Sequence, residues 1–242
     1  MAASGPTAPS STPRLRVSAK AVLGFAAYLL LTPLVLFLAG GEAAWLAAWV
    51  YSVLAIVAVI GSRLIALKVS PEMLVERSRF GEAQSVPTWD RLLGSIVALA
   101  GPLATLVVAG LDHRFRWPPH FTVTTQVAGG VVLALAYTLS TWAFLSNRFF
   151  SAVVRIQAER GHQVVRSGPY AIVRHPAYAG GILAMLVTPL MLDAAWSIVP
   201  AACVVAAMVV RTALEDRMLQ DRLQGYREYC TSVRFRLIPG VW

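Results

Sequence analysis

The sequence predicts an all-helical protein whose helices cross a membrane several times. Hydrophobic residues make up 57% of its 242 residues, charged residues make up 14%, and the mean hydropathy is +0.63. Soluble domains contain about 45–50% apolar and about 25% charged residues, so this chain has too little polar surface to cover a globule in water. The same composition excludes a disordered chain, a collagen and a disulfide-built secreted scaffold. We therefore expect a polytopic bundle of about six membrane helices, including a C-terminal helical hairpin.

Four apolar stretches have the length of about 20 residues that a membrane helix needs. They are 21–40, 43–62, 92–111 and 123–145. Two shorter apolar runs, 177–192 and 195–210, follow; each has about 16 residues, which is marginal for a full crossing. Asp193 separates the two runs. We interpret them as a helical hairpin packed against the other helices, with Asp193 at its polar tip.

The first 20 residues are rich in Ala, Ser and Pro, and Arg14 is their first charged residue. We expect them to form a disordered, basic segment on the cytosolic side. No cleavage pattern follows the apolar stretch 21–40, which at about 20 residues is longer than the apolar core of a signal peptide. That stretch is therefore predicted to remain as a membrane anchor.

The distribution of basic residues predicts the orientation in the membrane. Of the 21 Lys and Arg residues, 19 lie in four segments: 1–20, 63–91, 148–175 and 211–242. The intervening loops contain only Arg114 and Arg116. Because cytosolic loops carry the excess of basic residues, these four segments are predicted to face the cytosol, as expected for a bacterial inner membrane.

The net charge of +9 does not indicate a nucleic-acid partner. Basic cytosolic loops are explained by anionic lipid headgroups, and the sequence contains no nucleic-acid-binding motif. Cys203 and Cys230 form neither a disulfide framework nor a metal-binding pair, and His162 and His175 lack neighbours at ligand spacing. We therefore expect membrane lipids as partners, and neither nucleic acid nor metal.

Two cytosolic segments precede the hairpin. Residues 68–90 are interpreted as a connector lying at the membrane interface. After the fourth apolar stretch, residues 153–160 can continue the helix with Gly161 as its C-cap, and Ser-Gly-Pro at 167–169 predicts a turn.

A helix is predicted to begin at Pro176, because proline is favoured at the first helical position. This places His175 at a helix N-terminus, where free N–H groups favour an anionic ligand group. The alternative is a plain helix start in which His175 bonds a loop carbonyl.

The last segment places ionisable residues where a helix leaves the hydrocarbon. Arg211 and Glu215 are four residues apart and therefore share a helix face, so a surface ion pair of little energetic value is one interpretation. An ionisable residue in such a position is otherwise a candidate for function. The basic and aromatic residues 234–240 are predicted to form a helix on the headgroups.

These segments together resemble a known family. The motifs are GHQVVRSGPYAIVRHPAYAG at 161–180, RTALED at 211–216, GYREY at 225–229 and RFRLIPG at 234–240. In this order and spacing they are similar to the isoprenylcysteine carboxyl methyltransferase family, a branch of the membrane methyltransferases that also include phospholipid N-methyltransferases. The connector SPEMLVERSRFG with WDRLL looks like the prokaryotic branch.

The resemblance implies an enzyme that binds S-adenosylmethionine in a tunnel on the cytosolic side, without a Rossmann domain. It also implies which positions contact that cofactor: Gln157, His162, Gln163, Val164, Val165, Tyr170, His175, Pro176, Ala177, Tyr178 and Glu215. Arg211 matches the position that faces the substrate. Relatives carry two Glu where this chain has Glu215 and Asp216, which leaves the role of Asp216 open.

The resemblance also divides the chain into a basic N-terminus (1–20), four membrane helices with the connector 63–91 (21–146), and a methyltransferase core (147–242). With Arg211 and Glu215 as catalytic residues, we expect methyl transfer to the carboxylate of an isoprenylcysteine-like acceptor, which Arg211 orients through two parallel hydrogen bonds. The alternatives are a phospholipid amine, with Glu215, Asp216 or His175 as base, a small thiol, or a structural membrane protein without activity.

Overall fold

The fold is a bundle of helices, as the composition predicts. The computed structural model describes residues 19–71, 73–74 and 86–242, and only the backbone of residues 19–23 and 28. Within these residues it contains seven helices and no strand. They are α1 (Ala19–Gly40), α2 (Leu46–Val69), α3 (Thr88–Phe115), α4 (Val123–Ser146), α5 (Pro176–Met191), α6 (Ile198–Arg222) and α7 (Tyr226–Ser232). The predicted polytopic membrane bundle is confirmed.

The outer surface of the bundle is apolar, as a lipid-facing surface must be. Helices α2, α3 and α4 and the stretch Ala195–Arg222 are long and apolar enough to cross a membrane, while α1 from Gly24 onward and α5 are shorter apolar helices. Large apolar side chains such as Leu46 and Val123, each 73% exposed, point away from the protein. Residues 1–18 of the predicted disordered segment lie outside the described residues, as do residues 72 and 75–85 of the connector 63–91.

Helix α3 contains one turn of π-helix, Ile96–Ala100, immediately before Gly101 and Pro102. Pro102 has no N–H to donate, which favours such a bulge at this point. A side chain at Gly101 would collide with Val204 of α6, so this glycine allows α3 and α6 to touch. The bulge and this contact bring the first two turns of α3 against α6.

The predicted helical hairpin is confirmed, with one correction. Asp193 lies at its tip in a left-handed conformation (φ 52°), and its carboxylate accepts the N–H of Phe121. The second arm is longer than the predicted 195–210, because α6 continues to Arg222. The polar residues after 210 extend the helix because they find buried partners described below.

Helix α4 packs along α5 at positions without side chains. A Cβ at Gly180 would lie 2.8 Å from the carbonyl oxygen of Ala136, and one at Gly129 would lie 3.0 Å from the nitrogen of Met191. Leu36, Leu106, Leu133 and other apolar residues of α1 to α5 form the core beside this contact. The packing holds the start of α5 at one end of the bundle.

Two predicted helices are wrong. Residues 153–157 are not helical, and only Ala158–Arg160 forms a short 3₁₀ turn, closed by Gly161 in the predicted left-handed conformation. The segment leaves the helical path because the N–H of Val154 donates to Asp90 Oδ2 at 2.8 Å.

Residues 234–240 are likewise not helical. Their backbone lies against the start of α5, where the N–H groups of Arg174 and His175 donate to the carbonyl groups of Phe235 and Arg236. Pairing with another segment replaces the bonds of the predicted helix.

Candidate active site

A cavity of about 910 Å³ lies at the end of the bundle where α5 begins. Its walls come from the first turns of α3, the non-helical segment 147–170, the start of α5, the middle of α6, and α7. Ligand cavities usually measure about 300–1,000 Å³, so this one can hold a medium-sized ligand. Three features of its wall determine what it can bind.

The first feature is the guanidinium group of Arg211, which is held in place by Asp90. Arg211 Nε donates to Asp90 Oδ1 at 2.7 Å, and Nη2 donates to the carbonyl oxygen of Ala152 at 3.3 Å. The centre of the group lies 5.6 Å from the ring centroid of Tyr178. A guanidinium has five N–H groups. Arg211 lines the cavity, and its remaining N–H groups have no partner among the described residues.

The second feature is the pair Tyr178 and Glu215. The Tyr178 hydroxyl donates to Glu215 Oε2 at 2.7 Å, which holds the carboxylate toward the cavity and leaves Oε1 without a protein partner among the described residues. Arg211 does not pair with Glu215, although both lie on the same face of α6, since its partner is Asp90. The surface ion pair considered from the spacing is therefore absent.

The third feature is the start of α5. Pro176 is its first residue, as predicted, and His175 is its N-cap. His175 Nε2 lies 3.3 Å from Asp216 Oδ1 and 3.4 Å from the hydroxyl oxygen of Tyr226, so neither of these contacts is to a loop carbonyl. The first N–H groups of a helix have no partner within it, and Ala177 lies at the cavity wall. The helix start thus offers donors to an anionic group.

Behind this wall, Asp216 holds several segments together. Its carboxylate is fully buried and accepts two hydrogen bonds from Arg174, at 2.7 and 3.0 Å, and one from Arg236 at 2.8 Å. Tyr226 and Gln220 also donate to it, at 3.1 and 2.8 Å. Asp216 does not line the cavity. Although it is adjacent to Glu215, it points into the protein, because neighbouring residues on a helix are about 100° apart.

The segment 147–170 forms the remaining wall. His162 Nδ1 accepts the N–H of Gln157 at 3.3 Å, and its ring packs on Phe149. Burial, together with the charges of Arg160 and Arg155, lowers the pKa of His162 to about 4. This histidine is therefore neutral at neutral pH and can keep accepting that hydrogen bond.

Tyrosine hydroxyl groups complete the wall. Tyr229 donates to the carbonyl oxygen of Tyr170 at 2.6 Å, which joins α7 to the segment before α5. Burial raises the pKa of Tyr170, and the charge of Glu215 raises it further. Burial also raises the pKa of Tyr229, so both hydroxyls stay protonated and the wall gains no negative charge from them.

The structure places ten of the twelve predicted site residues at the cavity. They are His162, Gln163, Val164, Val165, Tyr170, His175, Ala177, Tyr178, Arg211 and Glu215. Pro176 is buried at the helix start, away from the wall. Gln157 is fully buried, and its side chain donates to the carbonyl oxygen of Phe149 at 2.6 Å, so it shapes the segment rather than facing the cavity.

Asp90 is the residue that the sequence interpretation missed. It lies in the connector that was predicted to be a plain interfacial segment, yet it is only 1% exposed and contacts Arg211. The available signal was a lone carboxylate at the start of an apolar helix, where an ionisable group calls for a partner.

Comparison with known proteins agrees with the motifs. Residues 130–221 match the isoprenylcysteine carboxyl methyltransferase (ICMT) family. The chain is also similar to protein-S-isoprenylcysteine O-methyltransferase B of Arabidopsis thaliana, with 29% identity over 101 residues. That match covers 41% of this chain and 48% of the relative, so the chain spans about half the length of the curated relative that it matches. The resemblance to this family is confirmed, and the matched segment includes Arg211, Glu215 and His175.

Proposed function

We propose that this chain is an integral membrane methyltransferase that uses S-adenosylmethionine and methylates the carboxylate of a lipophilic, isoprenylcysteine-like acceptor. One observation carries the proposal: a single cavity presents the carboxylate of Glu215 and the guanidinium of Arg211, one helical turn apart, each with unused hydrogen-bonding capacity. A cavity whose wall presents both a carboxylate and a guanidinium with unused hydrogen-bonding capacity is suited to ligand groups of both charges.

The residues present fit S-adenosylmethionine. Glu215 can accept from its ammonium group or its ribose hydroxyls, and the first N–H groups of α5 can donate to its carboxylate. The ring of Tyr178 offers an electron-rich face to a cation. When bound, this group supplies a methyl on a sulfonium sulfur, which an ionised carboxylate can take in one displacement without giving up a proton.

The acceptor side of the cavity is formed by Arg211 and by apolar residues of α3. Arg211 can bind the acceptor carboxylate through two parallel hydrogen bonds. Leu99 lines the cavity and is 47% exposed on the lipid-facing surface, so an apolar tail can extend from the cavity toward lipid. Holding two reactants in line can lower the barrier by about 7–11 kcal/mol.

A carboxylate acceptor is favoured over an amine or a thiol because it needs no general base at neutral pH. Of the three candidate bases, Asp216 accepts from arginines on both oxygens, and His175 is held by Asp216 and Tyr226. Of these three, Glu215 alone has an oxygen without a partner among the described residues, and the proposal assigns that oxygen to the cofactor. We further propose that the cavity opens on the cytosolic side, since its wall includes residues of the segments 63–91, 148–175 and 211–242, which their basic residues assign to the cytosol.

The first experiment measures saturable binding of labelled S-adenosylmethionine to the protein in detergent micelles. Glu215→Gln removes one charged partner, and we expect its affinity to be about 10- to 100-fold lower. Glu228→Gln is the matched control, because Glu228 is exposed and its carboxylate pairs with Arg166 on the surface. Absence of saturable binding to the unaltered protein would contradict the proposal.

The second experiment identifies the acceptor. The protein is incubated with S-adenosylmethionine that carries a labelled methyl group. N-acetyl-S-farnesylcysteine, phosphatidylethanolamine vesicles and a small thiol are added as acceptors in separate reactions. A labelled product that releases its methyl group in base is an ester and supports the carboxylate. A base-stable product formed from the lipid or the thiol would contradict the carboxylate and identify the lipid amine or the thiol as the acceptor class.

A further inference from the structure

Asp90 connects three parts of the molecule that are far apart in the sequence. It lies in the first turn of α3 and is only 1% exposed. Oδ1 accepts from Arg211 Nε at 2.7 Å, and Oδ2 accepts from the N–H of Val154 at 2.8 Å. One carboxylate therefore joins α3, α6 and the segment that covers the cavity. Asp90 lies outside residues 130–221, so the family match does not include it.

Asp90 also determines which side of the Arg211 guanidinium is available. A carboxylate can bind a guanidinium along its Nε and Nη side or across its two terminal nitrogens. Asp90 occupies the Nε side, while Nη1 has no partner among the described residues. Nη2 uses one of its two N–H groups for the carbonyl oxygen of Ala152, and the neighbouring Gly94, whose Cβ would lie 3.6 Å from Nη2, has no side chain to cover it. The terminal nitrogens are thus the end at which a second carboxylate can bind.

The face of the guanidinium is constrained as well. Its carbon lies 5.6 Å from the centroid of the Tyr178 ring, and the Tyr178 hydroxyl in turn donates to Glu215. Rotation about the Arg211 side chain would break the bond to Asp90 and move the group away from this ring. The orientation of the acceptor relative to Glu215 therefore depends on Asp90.

We propose that Asp90 is a positioning residue that occupies the Nε side of Arg211 and so directs its terminal nitrogens at the acceptor carboxylate. This inference rests on the proposed function. Asp90 lies at the cavity wall, but Arg211 and the N–H of Val154 use its two oxygens, so in this assignment it acts through Arg211.

The decisive variant is Asp90→Asn. The amide has one oxygen and can accept from Val154 or from Arg211, but not from both, and its NH₂ group repels the Nε–H donor. With N-acetyl-S-farnesylcysteine as acceptor, we expect the KM for the acceptor to rise by about 10- to 100-fold. The dissociation constant for S-adenosylmethionine, measured separately, should stay unchanged. Asp90→Glu keeps the charge and should recover part of the acceptor affinity.

Asp221→Asn is the matched control, because Asp221 pairs with Arg227 on the exposed end of α6. It should leave both constants unchanged. A second measurement uses the carboxamide of N-acetyl-S-farnesylcysteine as a competitor. The unaltered protein should bind the acid more tightly than the amide, and Asp90→Asn should lose most of this preference.

The outcomes are distinguishable. If Asp90→Asn keeps the acceptor KM and the preference for the acid, the inference is wrong while the proposed function stands. If it weakens the binding of both ligands together with the stability, Asp90 is structural and the inference is also wrong. If the unaltered protein transfers no methyl group to the carboxylate, the proposed acceptor is wrong, and the inference falls with it.

Discussion

Among its described residues, this protein has two buried aspartate–arginine pairs with similar hydrogen-bond distances, which differ in how many of the arginine's donors are used within the protein. Asp216 and Arg174 are joined by bonds of 2.7 and 3.0 Å, and Asp90 and Arg211 by one of 2.7 Å. Arg174 makes two further bonds, to the carbonyl groups of Val233 and Arg234. Both arginines line the cavity, but Arg211 makes only one further bond among the described residues, which leaves more of its donors unused.

The difference separates a structural ion pair from one that can bind a ligand. Burying a charge is costly, and the cost is offset only when its hydrogen-bonding groups are paired. At Asp216 the pairing is complete, so no capacity is left for a ligand. At Arg211 it is incomplete, and the missing partners are supplied by whatever enters the cavity. The two pairs should therefore respond differently to substitution.

Removing Asp216 should have the largest effect on stability. Asp216→Ala leaves the buried Arg174 without its carboxylate and frees Arg236, so we expect the free energy of unfolding to fall by about 3–5 kcal/mol. Unfolding by sodium dodecyl sulfate in mixed micelles measures it. Asp221→Ala, which breaks an exposed pair, should cost about 0–1 kcal/mol. Equal losses in the two variants would show that the buried cluster has no special role.

Removing Asp90 should lower the free energy of unfolding by less than removing Asp216 does. In Asp90→Ala the Arg211 group can still be hydrated from the cavity, and we expect a loss of about 1–3 kcal/mol in the same unfolding experiment. The rate of methyl transfer to the acceptor should fall by more than this loss of stability explains. A loss of stability as large as that of Asp216→Ala would contradict the distinction between the two pairs.

Removing the side chain of Arg236, which bonds the C-terminal segment 234–240 to Asp216, should have a smaller effect on the free energy of unfolding. The side chain of Arg236 is 31% exposed and donates to Asp216 at 2.8 Å. Arg236→Ala should therefore cost about 1–2 kcal/mol, less than a fully buried charged bond. Arg234→Ala is the control, since only the carbonyl group of Arg234 is used, by Arg174. If both variants behave alike, the side chain of Arg236 does not hold the segment.

The smallest expected effect is on the pH dependence of the free energy of unfolding, through His162 in the segment 147–170. The pKa of His162 is about 4 in the folded protein, against 6.5 as its ordinary value. Between these values the unfolded chain binds the extra proton, so the free energy of unfolding should decrease as the pH falls from about 6.5 to about 4. His162→Asn keeps an acceptor for the N–H of Gln157 but does not titrate. It should show a smaller slope over this range, and an unchanged slope would contradict the assignment.

Much of the fold follows from local sequence. Stretches of about 20 apolar residues become membrane helices because no other structure satisfies the backbone in lipid. Pro176 starts a helix and Gly161 closes a turn because each has a restricted or permissive backbone that suits its position. The motifs likewise predicted that His175, Tyr178 and Glu215 lie in one site, and the structure brings them to one cavity.

The failures share a cause. Residues 153–157 and 234–240 have helix-compatible sequences, yet their backbones bond to Asp90 and to residues 174–175. Such partners are distant in the chain and leave no periodic pattern. The same holds for Asp90 and Arg211, which are separated by 121 positions.

By itself, the sequence determined the membrane helices, the hairpin and the family resemblance, because these depend on hydrophobicity and on motifs read along the chain. Only the tertiary structure decided that Glu215 faces the cavity while Asp216 is enclosed, and that Asp90 pairs with Arg211. A buried charge takes the partner that packing brings within hydrogen-bond distance, and sequence spacing alone does not specify that partner.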